Sequence, residues 1–115
     1  AFDTVKLAVG AGASFVARTT SFHVREISSL IQRAFKHRGF SVLEVLSQCA
    51  TYSGRHNKLG GAVQMLEWYR DNTALIGSKK LEENPNFIPR GVFAEEECPE
   101  YTAEYAKIIA KARKE

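Results

Sequence analysis

The residue of this sequence with the clearest chemical potential is Cys49. It lies in the stretch Gly39–Gly54, GFSVLEVLSQCATYSG, just after the apolar run Phe40–Leu46. A cysteine in this setting can be a small buried hydrophobe, a nucleophilic thiol with His56 as its base, or a metal ligand. The chain offers two cysteines and three histidines, at spacings that do not make a four-ligand zinc or iron–sulfur site. A cluster at Cys49 would therefore need ligands from outside this stretch.

The remaining polar residues give weaker signals. His23 and His37 fall at the two ends of a predicted helix, where surface or capping roles are usual for histidine. The basic loop GRHNK at 54–58 could bind a carboxylate or an acidic protein. The acidic run Glu95–Glu97 is typical of a solvated face. No phosphate-binding glycine motif occurs, because Gly10–Gly12 lacks a third glycine and precedes a strand rather than following one.

The first half of the chain predicts a βαβ unit. A helix is expected over Phe2–Gly12 with Asp3 as its N-cap, followed by a strand at Ser14–Arg18 and a polar turn at Thr19–Phe22. Apolar residues at steps of three and four predict an amphipathic helix from His23 to Arg38, which Gly39 would stop. The apolar run Phe40–Ser47 predicts a strand that is buried on both faces and parallel to the first strand. Cys49 then lies at the carboxyl end of a parallel strand, where sites gather in open α/β sheets.

The second half of the chain is less regular. Its expected elements are a loop at Thr51–Gly61, a helix at Ala62–Asp71, a short strand at Ala74–Ile76, an extended connection at Leu81–Arg90, an edge strand at Gly91–Ala94 and a helix at Tyr101–Glu115. Two or three short strands make a thin sheet. The sequence therefore reads as the C-terminal piece of a larger α/β domain.

Composition limits the class of protein. The chain has 115 residues, is 44% hydrophobic and 25% charged, and carries a net charge of +3. This balance is usual for a globular domain, and no apolar run is long enough to span a bilayer, so we expect a cytoplasmic protein without a membrane or nucleic-acid partner. Cys49 and Cys98 are too few for a disulfide framework.

The central motif carries a resemblance to a known family. The stretch QCATYSGRHNKLG resembles a QC-x-T-[YF]-x-G-R-x-N-K-x-G pattern of the β subunits of 2-oxoacid:ferredoxin oxidoreductases, and most closely that of their 2-oxoglutarate branch. The matching residues are Gln48, Cys49, Thr51, Tyr52, Gly54, Arg55, Asn57, Lys58 and Gly60. FIPRGVFAEEECPEY is similar to the closing segment of these subunits. Ala50 stands where the family usually has proline, and Ser53 where it has a bulkier or amide residue.

The resemblance implies a fold, an activity and a role for Cys49. It implies the C-terminal fragment of a thiamine-diphosphate-binding α/β fold, with residues 1–54 as the βαβ part and residues 55–115 as an extension. Such enzymes carry thiamine diphosphate, magnesium and a 4Fe-4S cluster, decarboxylate a 2-oxoacid, acylate coenzyme A and reduce ferredoxin. Cys49 matches the position of one cluster ligand, the other ligands and the diphosphate-binding segment belonging to the preceding part of the subunit.

The same resemblance sets expectations for partners, which are an α subunit and ferredoxin. It also implies that the isolated piece is inert as an enzyme, and exposed apolar surface could make it self-associate. Two other classes stay open at this point. One is a small stand-alone α/β interaction module with incidental thiols, and the other is a thiol enzyme that uses Cys49 and His56.

Overall fold

The computed structural model describes residues 2–113 and contains nine regular elements in an α/β arrangement. They are α1 Thr4–Gly10, β1 Phe15–Thr20, α2 Val24–Lys36, β2 Ser41–Leu46, α3 Ala62–Asn72, β3 Thr73–Leu75, α4 Lys79–Glu83, β4 Ile88–Glu95 and α5 Tyr101–Ala112, with a π-helical turn at Ala50–Gly54. Residues 114–115 of the last predicted helix lie outside the described range. No helix within residues 2–113 is long and apolar enough to cross a membrane.

The four strands form one mixed sheet in the order β2-β1-β4-β3. β1 and β2 are parallel, in a register that runs from Phe15 opposite Ser41 to Thr20 opposite Leu46, and α2 connects them. This confirms the predicted βαβ unit. β4 is antiparallel to β1, whereas β3 is parallel to β4, so the sheet is not wholly parallel.

The buried strand at the centre of the sheet is β1, all six residues of which are buried. Val16 packs with α1 residues on one face, and Phe15 and Ala17 pack with Leu30 of α2 on the other. The prediction that β2 is buried on both faces was wrong. β2 has a strand neighbour on one side alone among the described residues, so its side chains are half-buried and Val45 is exposed.

The predicted turn at Thr19–Phe22 was wrong at its start, because Thr19 and Thr20 complete β1 and are fully buried. Their hydroxyls are satisfied within the fold. Thr19 Oγ1 donates to a Glu26 carboxylate oxygen at 3.1 Å, and Thr20 Oγ1 lies 2.8 Å from His23 Nδ1. Burial of a polar side chain is tolerated when its hydrogen bonds are made in this way.

The region after α3 differs most from the prediction. The extended connection expected over Leu81–Arg90 holds instead the end of α4, and β4 begins already at Ile88. The predicted edge strand Gly91–Ala94 is part of β4, which lies between β1 and β3. Both faces of β4 pack against the core, since Val92 contacts the cluster on the α2 side of the sheet and Phe93 the cluster on the α1 side.

The helix predicted to run to Arg38, with Gly39 as its stop, ends earlier, at Lys36, and His37 follows it in an extended conformation. Gly39 is needed instead in the turn between α2 and β2. Its φ is +123°, and a Cβ there would collide with Ser14 Oγ. That hydroxyl accepts from the Phe40 N–H at 3.1 Å and lies 2.9 Å from His37 Nε2. Gly39 therefore lets the chain pass closely over the start of β1 and sets the position of β2 and of the residues that follow it.

Candidate functional site

Cys49 lies just beyond the carboxyl end of β2 and is exposed to solvent. The loop predicted to follow it is wrong over its first residues, because Ala50–Gly54 form a π-helical turn that Cys49 caps at its start. The π-helical turn packs against α3 at Gly54. Gly54 is buried, and a Cβ there would lie 3.0 Å from Met65 Sδ. The close packing at Gly54 brings the Cys49 turn and α3 together.

The π-helical turn favours the thiolate form of Cys49. The backbone N–H of Ser53 lowers the pKa of the Cys49 thiol below its ordinary value, and the N–H of Tyr52 and the Thr51 hydroxyl act in the same direction. Thr51 Oγ1 lies 3.7 Å from Cys49 Sγ. Hydrogen-bond donors near a sulfur stabilise negative charge on it, and the thiolate is the form that binds metals and attacks electrophiles.

A mostly apolar cleft of about 320 Å³ opens beside Cys49, and α3 forms its far wall. Residues that line it include Gln48, Cys49, Leu59, Met65, Trp68 and Tyr69. Gln48 is fixed because its Oε1 accepts from Ser21 Oγ at 2.7 Å. Trp68 and Tyr69 meet edge to face, with ring centroids 5.6 Å apart. The sequence analysis placed Met65 and Trp68 only within the predicted helix Ala62–Asp71 and did not bring them beside Cys49.

His56 does not act as a base for Cys49 in this structure. Its ring packs on Tyr52, with centroids 4.7 Å apart, and within residues 2–113 no hydrogen bond joins it to the Cys49 sulfur. The other two histidines have structural contacts, His37 with Ser14 and His23 with Thr20. Burial, followed by the nearby Arg90 charge, lowers the pKa of His23.

Cys49 is an isolated ligand candidate. Among residues 2–113 there is no group of three His, Cys, Asp or Glu side chains that could hold a metal ion. Cys98 lies at the opposite end of β2, because its N–H donates to the Arg38 carbonyl at 3.1 Å just before that strand begins. A six-residue strand spans about 20 Å. The two cysteines therefore share neither a metal site nor a disulfide.

A basic loop continues from the Cys49 turn and borders the cleft. Arg55, His56 and Lys58 are exposed, and within the described part of the chain none of them forms an ion pair. Lys58 has a positive φ of 52°, a conformation uncommon for a residue with a side chain. The acidic run Glu95–Glu97, in contrast to the basic loop, begins with a paired charge, since Glu95 forms an ion pair with Arg33 of α2. Free positive charge is therefore present beside Cys49.

Comparison with known proteins decides the family. The chain is 35% identical over 112 residues to the 2-oxoglutarate synthase subunit KorB of Methanothermobacter thermautotrophicus, which covers 94% of this chain and 39% of that protein. It is 34% identical over 116 residues to the KorB subunit of Methanocaldococcus jannaschii, covering 98% of this chain and 43% of that protein. The chain belongs to the family of 2-oxoacid:ferredoxin oxidoreductase β subunits. No model of a protein family matches it.

The fold agrees with this family. A solved structure of the 2-oxoglutarate:ferredoxin oxidoreductase from Magnetococcus marinus, with 2-oxoglutarate, coenzyme A and succinyl-CoA bound, matches with a TM-score of 0.75 at 20% identity. The match covers 96% of this chain and 39% of that one. This chain thus spans about two fifths of the length of the curated relatives named here, and it corresponds to the C-terminal region of a β subunit.

Proposed function

We propose that this chain is the C-terminal part of the β subunit of a cytoplasmic oxidoreductase that uses 2-oxoglutarate or a closely related 2-oxoacid. The whole enzyme would decarboxylate the 2-oxoacid, transfer the acyl group to coenzyme A and pass the electrons to ferredoxin, with an α subunit as its companion. The observation that carries the proposal is an exposed cysteine of lowered thiol pKa, placed at the end of a parallel strand in a chain of this family.

Cys49 suits the role of one ligand to a 4Fe-4S cluster. Such a cluster takes about four cysteine thiolates, and the chain supplies one accessible thiol in a setting that favours the thiolate. The remaining ligands are expected from polypeptide outside residues 1–115. When bound, the cluster would supply one-electron transfer to ferredoxin.

The residues around Cys49 would tune the properties of such a site. The Ser53 and Tyr52 N–H groups stabilise charge on the sulfur, and donors of this kind influence the reduction potential of iron–sulfur clusters. Met65 and Trp68 line the same cleft as Cys49 and place apolar surface beside it. Thiamine diphosphate and magnesium are expected to bind outside this chain. Residues 1–54 would belong to their domain, and residues 55–115 would extend it. The isolated piece should therefore be inactive.

Substitution of Cys49 tests this assignment. In the intact enzyme, Cys49→Ser should lose most of the roughly four iron atoms of one cluster per β subunit, or alter the signal of the reduced cluster, because one thiolate ligand is removed. Iron analysis and electron paramagnetic resonance measure the two effects. Cys98→Ser is the matched control, since Cys98 is also an exposed free thiol. Unchanged iron and an unchanged signal in Cys49→Ser would show that Cys49 is not a ligand.

The basic loop offers a docking surface for ferredoxin, an acidic partner in this proposal. The double variant Arg55→Glu/Lys58→Glu should lower the second-order rate of ferredoxin reduction about tenfold at low ionic strength, because it reverses the charge that steers the encounter. The difference should shrink as salt is added. Stopped-flow measurements across a salt series would follow it.

The control for this experiment is Lys6→Glu/Lys79→Glu, which makes the same change in net charge at two exposed lysines away from Cys49. It should leave the rate close to that of the wild type. Equal losses in both double variants would point to a net-charge effect, and no loss in either would remove the loop as a docking surface. Neither result bears on the role of Cys49. The alternative of a stand-alone interaction module has no specific observation in its favour.

A further inference from the structure

The side chain of Gln48, the residue before Cys49, is held at one end of its amide group. Gln48 Oε1 accepts a hydrogen bond from Ser21 Oγ at 2.7 Å. Ser21 directly follows β1, and its N–H donates at 2.8 Å to the carbonyl of Leu46, the last residue of β2. The ends of the two parallel strands therefore position Ser21, and the Ser21 hydroxyl in turn orients the Gln48 amide.

The other end of this amide has no partner within residues 2–113. A glutamine side chain carries two N–H donors on Nε2 in addition to its acceptor oxygen, and Nε2 of Gln48 makes no hydrogen bond in this part of the chain. The Nε2 atom is also not buried, because the one buried side-chain nitrogen or oxygen without a partner among these residues is Arg90 Nε. The two donors of Gln48 are therefore accessible.

These donors belong to a residue that lines the cleft beside Cys49. The groups that lower the pKa of the Cys49 thiol are those of Ser53, Tyr52 and Thr51, and no hydrogen bond within residues 2–113 joins Gln48 to the Cys49 sulfur. The Gln48 donors thus remain available to a group bound next to that sulfur. The cleft is mostly apolar, and a hydrogen bond in such surroundings is stronger than in water.

We propose that Gln48 donates a hydrogen bond from Nε2 to a sulfur atom of the cluster held by Cys49, and that Ser21 is the positioning residue for this donor. The inference rests on the proposed function, because it requires a cluster at Cys49. Hydrogen bonds to the sulfurs help to set the reduction potential of a cluster. Reduction adds one negative charge, and a donor stabilises the more negative state more strongly. Gln48 therefore raises the reduction potential.

Removal of the Gln48 donors tests this role. Gln48→Leu keeps an apolar side chain in the cleft and removes both N–H groups. In the intact enzyme it should shift the one-electron reduction of the cluster about threefold to tenfold toward the oxidised state, which corresponds to a potential lower by about 30 to 60 mV. A redox titration followed by electron paramagnetic resonance measures the potential directly, without an activity assay.

Variants of Ser21 test the positioning. Ser21→Ala should lower the potential by less than Gln48→Leu does, because the amide is still present but is no longer oriented. Ser21→Thr retains a hydroxyl and should keep the potential of the wild type. The double variant Ser21→Ala/Gln48→Leu should have the same potential as Gln48→Leu, since Ser21 acts through Gln48.

Two controls separate this role from a distortion of the site. Gln32→Leu makes the same substitution at an exposed glutamine of α2 that does not line the cleft, and it should leave the potential unchanged. In intact polypeptide freed of metal, Gln48→Leu should leave the rate of Cys49 alkylation by iodoacetamide unchanged, because Gln48 makes no hydrogen bond to that sulfur within residues 2–113. A changed rate would show that the substitution distorts the π-helical turn and would overturn the inference.

Iron analysis distinguishes a failure of this inference from a failure of the proposed function. If iron is lost in Cys49→Ser but the potential is unchanged in Gln48→Leu, the role of Gln48 is wrong and the cluster assignment stands. If iron and the reduced-cluster signal survive in Cys49→Ser, the cluster assignment is wrong, and the role of Gln48 is wrong with it. An equal shift in Gln32→Leu, or a further shift in the double variant, would also overturn the inference.

Discussion

At the scale of single residues, the environment of Cys49 distinguishes between the chemistries that the sequence left open. A thiol with a lowered pKa suits both a nucleophile and a metal ligand. The thiol–imidazole pair that the sequence suggested needs His56 within hydrogen-bond reach of the Cys49 sulfur, whereas His56 packs on Tyr52 instead. A metal ligand needs an accessible sulfur that can lose its proton, and Cys49 is exposed and has a thiol pKa below its ordinary value. The local geometry therefore favours ligation over catalysis by a Cys49–His56 pair.

The lowered pKa of the Cys49 thiol can be measured directly. In polypeptide freed of metal, the rate of Cys49 alkylation by iodoacetamide should reach half its maximum at a lower pH than for the same residue in denaturant. The reason is that unfolding removes the Ser53 and Tyr52 N–H groups that stabilise the thiolate in the folded chain. Mass spectrometry of the peptide that contains Cys49 gives the rate. Coincident pH profiles in the two states would show that the π-helical turn does not stabilise the thiolate.

At the scale of elements, local patterns predicted the helices and strands better than they predicted burial. The three- and four-residue spacing located α2, and Asp3 marks the start of α1, where its carboxylate accepts from the Val5 N–H at 3.1 Å. Burial depends on sheet order, which no local pattern encodes. The more apolar run became the half-buried β2, while β1, with Arg18 and two threonines, became the central strand. β1 is central because β4 pairs with it from a distant part of the chain.

For the candidate site, the sequence predicted the position of Cys49 but not the cleft beside it. Cys49 could be found because it follows a strand in a βαβ unit, and such strand ends collect functional residues. The cleft could not be found, because it depends on α3 packing against Gly54 across an irregular loop. The one sequence signal for this packing was Gly54, because a residue without a side chain is needed where another element approaches closely. A Cβ at Gly54 would lie 3.0 Å from Met65 Sδ. Trp68 and Tyr69 belong to α3 and line the cleft beside Cys49 because α3 packs there.

At the scale of the whole molecule, one cationic side chain connects three strands of the sheet with helix α1. Arg18 of β1 pairs with Asp3 at 2.9 Å, the residue that caps α1, and with Glu44 of β2. Its guanidinium also lies over the Phe93 ring of β4, 5.4 Å from the centroid. The Arg18 side chain is only 11% exposed. Loss of this side chain would leave two carboxylates close together and partly shielded from water.

Arg18→Met should therefore lower the free energy of unfolding by about 3 kcal/mol, the low end for breaking a buried ion pair, because both carboxylates keep some contact with solvent. Denaturant titration of the polypeptide measures this loss. Arg33→Met is the control, since the Arg33–Glu95 pair is about half exposed and should contribute at most about 1 kcal/mol. Neutralising the acids as well, in Arg18→Met/Asp3→Asn/Glu44→Gln, should restore part of the stability. Equal losses for Arg18→Met and Arg33→Met would show that Arg18 does not hold these elements together through its buried charge.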